Sequence, residues 1–276
     1  MNIYSDQEIQ RKISGKKFDE RALIVLNHHY DLDFLFMWML ADRAGQWNCR
    51  TYSKDTLKFV PSNFTTLENR FKDIMNMHDS PLWLFVIPEG TEFTLENLKE
   101  SQEFAKSRGL PMLEHNLVPR TKGFSFTASN LNREKFSCVY DITLVCGKGD
   151  FVPDLLSLYK GRGTDVNVFM RKIPLESVPV GEKESGEWLM KLFKEKDIIK
   201  KSFIENDWRG LQEVGGFSSS QCISPKCGRR SLVFSFTLFS SVIGFLAYLV
   251  IMGGELAIKA ACLVLGLSWV GYTLII

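Results

Sequence analysis

The sequence lacks an excess of charge of either sign. Its 276 residues carry 34 Lys and Arg against 32 Asp and Glu, a formal net charge of +2. Proteins that bind nucleic acid through bulk charge are normally clearly basic, so the near-balance argues against that class. The chain also contains no GxSxG, P-loop or GxGxxG pattern. These absences disfavour serine hydrolases, P-loop nucleotide hydrolases and Rossmann-type dinucleotide enzymes.

Cysteine pairs at metal-binding spacing are missing as well. The six cysteines are scattered, and none forms a CxxC. Cys222 and Cys227 would make only half of a metal site, because no second pair or nearby His accompanies them. We therefore predict reduced thiols in a protein that faces the cytosol, and we expect no metal.

The C-terminal end of the chain has almost no charge. After Arg230 the only charged side chains are Glu255 and Lys259. Residues 231–254 and 260–276 form two apolar runs, and each is long enough to cross a bilayer as a helix. Neither run shows the polar stripe of a helix that covers a soluble core. The pattern predicts two C-terminal membrane helices.

Basic residues flank the first apolar run. Lys226, Arg229 and Arg230 precede it, and Lys259 is the one cation between the runs. The positive-inside rule then places the body on the cytoplasmic side. Residues 1–17 lack an apolar core, so no secretory signal peptide is predicted. The predicted segments are a body at 1–217, a basic linker at 218–230 and membrane helices at 231–276.

Strands and helices alternate along the body. Short apolar runs predict strands at 22–27, 83–87, 111–118, 136–146 and 164–173. Longer periodic stretches predict helices at 32–40 with flanks reaching Gly45, at 95–108 after an N-cap at Thr94, and at 182–207. This alternation predicts an α/β fold.

The segment 27–33 reads Asn-His-His-Tyr-Asp-Leu-Asp directly after the first buried strand. A His paired with a carboxylate can remove a proton from a hydroxyl near neutral pH. The spacing does not decide which histidine pairs with Asp33. His29 and Asp33 are four residues apart and meet on one helix face, whereas His28 meets Asp33 only from the turn before the helix. Histidines that merely cover the helix start are the structural alternative.

Two further strand ends carry turn and basic residues. Pro88-Glu89-Gly90-Thr91 closes the second strand, and the segment 118–123 carries Arg120 and Lys122. A glycine turn that leads towards a helix N-terminus can hold an anionic group, and cations can hold phosphate. Each signal is weak by itself, because most such segments are ordinary turns.

In this order, the three segments resemble the sequence blocks of the glycerolipid acyltransferases, namely the 1-acylglycerol-3-phosphate (lysophosphatidic acid) acyltransferase family. Residues 27–33 match the NHx4D block, 85–91 the FPEGT block and 118–120 the proline-containing block. The strings VPRTKGF and VYDITL narrow the resemblance to the eukaryotic branch that includes lysocardiolipin acyltransferase. The resemblance extends over about 22–203.

The resemblance implies a mixed sheet flanked by helices, with a C-terminal transmembrane hairpin. It implies acyl transfer from acyl-CoA, as co-substrate and without a cofactor, to the free hydroxyl of lysophosphatidic acid. Lysocardiolipin and lysophosphatidylinositol are the alternative acceptors. By analogy His28 is the general base and Asp33 orients it.

The remaining site residues follow from the same analogy. The residues expected near the acceptor head group are Glu89, Gly90 and Thr91. The residues expected to shape the acyl-donor side are Pro119 and Arg120. The expected partners are acyl-CoA, a lysophospholipid and the bilayer, but not nucleic acid. The expected location is the endoplasmic reticulum membrane, with the mitochondrial outer membrane as the alternative.

The sequence departs from the family pattern in three places. Glu92 stands where the family usually has Arg, which would turn attraction for phosphate into repulsion. The stretch between Asp33 and Glu89 is short and lacks the Gly-x-x-aromatic-x-basic block, for which Arg70 or Lys72 could substitute. The apolar segment that usually precedes the first block is absent. Two hypotheses follow: an active acyltransferase, or a catalytically impaired relative or truncated isoform that binds lipid or partners.

Overall fold

The structure is a computed structural model that describes residues 1–16, 18–46, 48–51, 71–72, 74–75, 80–146, 154, 160, 165–205, 209–215, 217, 219–222 and 244. The chain divides into two compact units, Met1–Cys222 and Ile223–Ile276. Apart from Gly244, the predicted membrane helices lie outside the described residues and stay a prediction. Across the described ranges, no helix is long and apolar enough to span a bilayer.

The described part of the first unit contains seven strands, six α-helices and one 3-10 helix at Leu175–Ser177. The strands are β1 (Asn2–Ser5), β2 (Arg21–Leu26), β3 (Cys49–Thr51), β4 (Leu82–Val86), β5 (Phe136–Cys146), β6 (Val166–Pro174) and β7 (Ser219–Cys222). The helices are α1 (Gln7–Gly15), α2 (Asp33–Ala44), α3 (Leu95–Arg108), α4 (Thr121–Asn130), α5 (Glu182–Glu205) and α6 (Arg209–Val214).

The strands form one mixed sheet in the order β3-β4-β2-β5-β6-β1-β7. Strand β2 pairs in parallel with both β4 and β5, whereas β6 runs antiparallel to β5. The predicted α/β fold, a mixed sheet flanked by helices, is confirmed. Because β2 and β4 are parallel neighbours, the turns that follow them leave the sheet at the same edge.

The central strands are buried on both faces, which is why their sequences are continuous apolar runs. On one face, alternate residues of β2, β4 and β5 pack with α4 and α5; Leu23, Leu84 and Phe193 belong to this cluster. On the other face, Phe18 makes ring contacts with Trp83 and Tyr140. Packing on both faces holds these strands in place, and it thereby positions the turns that follow β2 and β4.

Local signals predicted several elements well. The observed α3 and β5 have the predicted bounds, and β2, β4 and β6 differ from prediction by one or two residues. Thr94 caps α3 by accepting the amide of Asn97 at 3.1 Å, and Gly109 ends it in the left-handed conformation. Helix α5 covers most of the predicted 182–207, and 206–208 lie outside the described residues.

The predicted strand at 111–118 is wrong. Side chains accept its backbone amide hydrogens: Asp197 binds those of residues 114–116, Glu89 that of Leu117 and Ser101 that of Val118. Because side chains already accept the amide hydrogens of residues 114–118, these amides cannot donate to a neighbouring strand. It forms an irregular connection, here called the 111–120 segment.

Several short elements carry no clear sequence signal. The elements that were not predicted are β1, β3, β7, α1, α4 and α6. Residues Ser219–Cys222 fall in the predicted linker at 218–230, but they pair antiparallel with β1 as β7. The rest of that linker lies outside the described residues.

Candidate active site

His28 and Asp33 form a pair of titratable side chains in direct contact at the end of β2. His28 Nδ1 lies 3.0 Å from Asp33 Oδ2. The same oxygen accepts the amide hydrogens of His29 at 2.6 Å and Tyr30 at 3.0 Å. Asp33 is buried at the first position of α2, where the helix dipole favours a negative charge. The carboxylate therefore fixes both the turn and the His28 ring.

His29 faces a different environment. Its Nδ1 lies 2.7 Å from Nζ of the buried Lys200, and its ring stacks on Phe93 with centroids 4.5 Å apart. Burial and the neighbouring Lys200 charge lower the pKa of His29 to about 2, so its ring is neutral. Of the two spacings that the sequence left open, the structure brings together the side chains of His28 and Asp33.

Glu89 joins two site segments through its carboxylate. One oxygen accepts the amide hydrogen of His28, and the other accepts that of Leu117 at 2.9 Å. The side chain is only 2% exposed. Burial raises its pKa to about 7, although the two amide hydrogen bonds act in the opposite direction. Glu89 thus lines the cavity wall, but both of its carboxylate oxygens accept hydrogen bonds from backbone amides.

The glycine turn after β4 lies against a cation of the 111–120 segment. Gly90 has a φ of 68°, and a Cβ placed on it would lie 3.3 Å from Cδ and Nε of Arg120. The Arg120 amide donates to the carbonyl of Pro88 at 2.8 Å. Thr91 accepts a hydrogen bond from Asn97 at 3.4 Å. Glycine is needed here for both the left-handed backbone and the approach of the guanidinium.

The 111–120 segment is positioned by α5. Asp197 accepts the amide hydrogens of Glu114, His115 and Asn116 at 3.0, 2.8 and 2.9 Å. This places Leu117 against Glu89 and brings the following Pro119 and Arg120 to the strand edge. The Asp197 carboxylate therefore orders this segment by accepting its backbone amides, as the Asp33 carboxylate orders the turn after β2.

These residues surround a cavity of about 1820 Å³. That volume exceeds the roughly 300–1,000 Å³ typical of a pocket for one small molecule, so the cavity has room for more than one ligand. Its wall includes all seven site residues predicted from sequence, namely His28, Asp33, Glu89, Gly90, Thr91, Pro119 and Arg120. Lys72 does not line this cavity, and Arg70 lies outside the described residues.

The cavity has an acidic side near His28, and charged side chains of both signs line the rest of its wall. Asp31 and Glu92 line it near His28, and their mutual hydrogen bond raises the pKa of Glu92. The hydrogen bond to Asp33 raises the pKa of His28, with smaller contributions from Glu89 and Glu92, while partial burial opposes the shift. The basic residues of the wall are Arg120, which precedes α4, Lys122 of α4, and Lys183, Lys191 and Lys194 of α5. The carboxylates Glu182 and Glu187 of α5 line the cavity beside them.

Sequence reasoning missed the buried polar side chains of α5. Lys196 Nζ lies 2.5 Å from Asp141 Oδ1 and donates to the carbonyl of Ile142 at 2.6 Å. Arg171 binds the other oxygen of Asp141. Lys196 and Lys200 lie on the same buried face of the helix as Leu189 and Phe193, at intervals of three or four residues. That placement, on the apolar face of an amphipathic helix, is the signal that could have identified them.

The fold and the site define an α/β protein with a His–Asp pair at a strand end, facing a cavity with room for more than one ligand. Residues 157–236 match the family model "Acyltransferase C-terminus". The 1-acyl-sn-glycerol-3-phosphate acyltransferase gamma of Homo sapiens is 34% identical over 220 residues, which are 73% of this chain and 57% of the relative.

The delta forms are similar to this chain as well. The Homo sapiens protein is 30% identical over 91% of this chain and 70% of its own length, and the Rattus norvegicus protein is 34% identical over 73% and 57%. The chain belongs to the 1-acyl-sn-glycerol-3-phosphate acyltransferase family. It spans little more than half the length of the gamma relative.

Proposed function

We propose that this chain is a 1-acylglycerol-3-phosphate O-acyltransferase that moves a fatty acyl group from acyl-CoA to the free hydroxyl of lysophosphatidic acid. The observation that carries the proposal is the 3.0 Å contact between His28 and Asp33 at the wall of a cavity large enough for donor and acceptor together. Family membership supports the same class of reaction.

In the proposed reaction His28 acts as the general base. Its contact with the Asp33 carboxylate assigns the ring proton to Nδ1, so Nε2 carries the free lone pair. As the acceptor hydroxyl oxygen attacks the thioester carbonyl carbon, Nε2 takes the hydroxyl proton. The carbon–sulfur bond then breaks, and the imidazolium donates this proton to the leaving CoA thiolate, which gives CoA thiol and returns His28 to its neutral form. No acyl-enzyme forms.

Positioning supplies the rest of the proposed catalysis. Gly90, Thr91 and Arg120 line the cavity beside the N-terminus of α4, whose amide groups favour an anion. We assign the acceptor head group to the glycine turn and the acyl donor to the side of Pro119 and Arg120. The two reacting groups would then meet at His28, which converts a bimolecular encounter into a local one.

Membrane attachment belongs to the same proposal. The apolar runs at 231–254 and 260–276 would anchor the chain in the endoplasmic reticulum membrane, or alternatively in the mitochondrial outer membrane, with the body facing the cytosol. Lysophospholipids partition into bilayers, so such an anchor would keep the cavity close to its acceptor.

A second candidate function rests on the acidic side of the cavity. Asp31 and Glu92 lie near His28, where their charge would oppose the phosphate of lysophosphatidic acid. The phosphodiester of lysophosphatidylinositol carries one negative charge, whereas the phosphomonoester of lysophosphatidic acid carries up to two, so this observation favours lysophosphatidylinositol as the alternative acceptor. It equally favours a relative that binds lipid without transferring an acyl group, and lysocardiolipin, with two phosphates, gains no support from it.

An acceptor panel separates these functions. The full chain in membranes would receive oleoyl-CoA with lysophosphatidate, lysophosphatidylinositol, lysocardiolipin or no acceptor, and CoA release and lipid product would both be measured. We expect product and CoA in equal amounts with lysophosphatidate. If product forms only with another acceptor, that lipid is the substrate in place of lysophosphatidate. Saturable lipid binding without product from any acceptor would favour a relative that binds lipid and transfers no acyl group.

A further inference from the structure

Lys200 is a buried lysine that the proposed chemistry does not use. Its side chain is almost fully buried on α5. Nζ lies 2.7 Å from His29 Nδ1, donates to the carbonyl of His115, and sits 5.1 Å from the centroid of the Phe93 ring. A buried ammonium is expensive unless it is paired and hydrogen-bonded, so these contacts define where it must lie.

The three contacts belong to three different segments of the site. His29 follows His28 in the turn after β2, Phe93 follows the Glu89–Glu92 turn after β4, and His115 lies in the 111–120 segment. The cavity wall does not include His29, Phe93 or His115. Lys200 therefore stands behind the site and touches every segment that supplies a predicted catalytic or binding residue.

Charge gives Lys200 a second role in the same place. Glu89 and Asp33 are both about 2% exposed, and both attract the Lys200 ammonium, as does Asp197. Lys196 repels it, but that ammonium is held by Asp141 at 2.5 Å. Among the described titratable groups, His29, His115 and Cys146 also interact with the Lys200 charge. Burial lowers the pKa of Lys200 to about 8 against the pull of these carboxylates.

We propose that Lys200 is a positioning residue for the acyl transfer: its ammonium joins the three site segments and offsets the buried charge of Glu89. The connection to the reacting pair is short. Lys200 holds the His29 ring, and the His29 amide donates to the Asp33 oxygen that contacts His28. Glu89, whose charge Lys200 balances, binds the His28 amide. This inference rests on the proposed function.

The activity test compares Lys200→Met, Lys200→Arg and the control Lys201→Met. The control removes an exposed lysine one position away, which makes a surface ion pair with Glu114 at 3.7 Å, and such pairs contribute little to stability. Misplacing reacting groups by about 1 Å can reduce a rate by roughly 10²-fold. We expect kcat of Lys200→Met to fall by about tenfold to hundredfold, with little change in KM, and Lys201→Met to behave like wild type.

The pH profile separates positioning by charge from mere packing. If the ammonium is required, wild-type kcat falls as pH rises through the pKa of Lys200 near 8. Arginine keeps its charge there, so Lys200→Arg should lose this alkaline decline, and Lys200→Met should show a low rate without an inflection near 8. Wild-type kcat in Lys200→Met, or an unchanged alkaline decline in Lys200→Arg, would overturn the proposal.

Amide hydrogen exchange of the full chain in detergent tests the positioning without any assay of catalysis. In Lys200→Met we expect faster exchange at residues 28–30 and 114–117, and unchanged exchange in β5; Lys201→Met should resemble wild type. Unchanged exchange at both segments, or equal acceleration throughout the chain, would refute a local positioning role. An inactive wild type would count against the proposed function alone, because the exchange result still decides the role of Lys200.

Discussion

His28 Nδ1 lies 3.0 Å from Asp33 Oδ2, across the start of a helix that begins with Asp33 itself. The carboxylate oxygen that binds the ring also accepts the amides of His29 and Tyr30. One buried side chain therefore shapes the turn and selects the tautomer of the imidazole. Asp33 does not engage Nε2 of the partly exposed His28, and this is the nitrogen that the proposed reaction uses.

Asp33→Asn should leave the fold intact and remove most of the acyl transfer. Asparagine still has an oxygen for the turn amides, but it loses the charge that stabilises the imidazolium and fixes the ring proton on Nδ1. We expect kcat to fall by roughly 10²–10⁴-fold, the usual contribution of general-base catalysis. Asp42→Asn, at the far end of α2, is the control; equal kcat in the two variants would contradict the role of Asp33.

The acid limb of the rate profile should reflect His28. General-base catalysis requires the neutral imidazole, and the Asp33 hydrogen bond raises the His28 pKa above its ordinary 6.5. The plot of kcat/KM against pH should therefore rise through a midpoint above 6.5. Glu92→Gln removes a negative charge that also raises this pKa, so the midpoint should move to lower pH. Glu96→Gln, in the exposed first turn of α3, should leave the midpoint in place.

Gly90→Ala should affect both stability and substrate binding. A left-handed backbone costs a non-glycine residue about 1–2 kcal/mol, and the new Cβ would contact the Arg120 side chain at 3.3 Å. Gly109→Ala is the matched control, because it has a φ of 62° and no atom within 4 Å of its Cβ position.

Both glycine variants should lower the free energy of unfolding by similar amounts. Only Gly90→Ala should raise KM, by roughly tenfold, which corresponds to a loss of about 1.4 kcal/mol of binding. Titration of both substrates separates the two assignments: a raised KM for acyl-CoA would support Arg120 on the donor side, and a raised KM for the lysophospholipid would support the glycine turn as the acceptor site. Equal KM values in the two variants would remove Arg120 from substrate binding.

Asp141→Asn should destabilise the protein strongly. Asp141 binds both Lys196 at 2.5 Å and Arg171, and the Lys196 side chain is fully buried. Removing one partner of a buried ion pair leaves an uncompensated charge and typically costs about 3–5 kcal/mol. Urea unfolding followed by tryptophan fluorescence measures the change. Glu187→Gln, which breaks an exposed pair with Lys183, should shift stability by less than about 0.5 kcal/mol.

Local sequence signals were sufficient for much of the fold. The apolar runs of β2, β4 and β5 and the N-cap at Thr94 depend on neighbouring residues only, and these elements appear where they were predicted. The 111–120 segment has a similar apolar pattern, but side chains from α3, α5 and the turn after β4 bind its amides. Partners so distant in sequence cannot be inferred from the segment itself.

The site shows the same division between local and distant information. Spacing could not choose between His28 and His29, because both can reach Asp33. The choice depends on Lys200, which lies 171 positions from His29 in the chain. Likewise, Glu89 stood out as part of a turn, but its hydrogen bonds to His28 and Leu117 require the sheet to bring those segments together.

The most direct measurement is acyl transfer by the wild type and His28→Ala at matched expression in membranes, with Glu103→Ala, an exposed α3 residue, as control. Oleoyl-CoA and lysophosphatidate would be supplied, and phosphatidate formation followed. We expect product from the wild type and from Glu103→Ala, and a loss of roughly 10²–10⁴-fold in His28→Ala. Equal product formation by wild type and His28→Ala would contradict general-base catalysis by the His28–Asp33 pair.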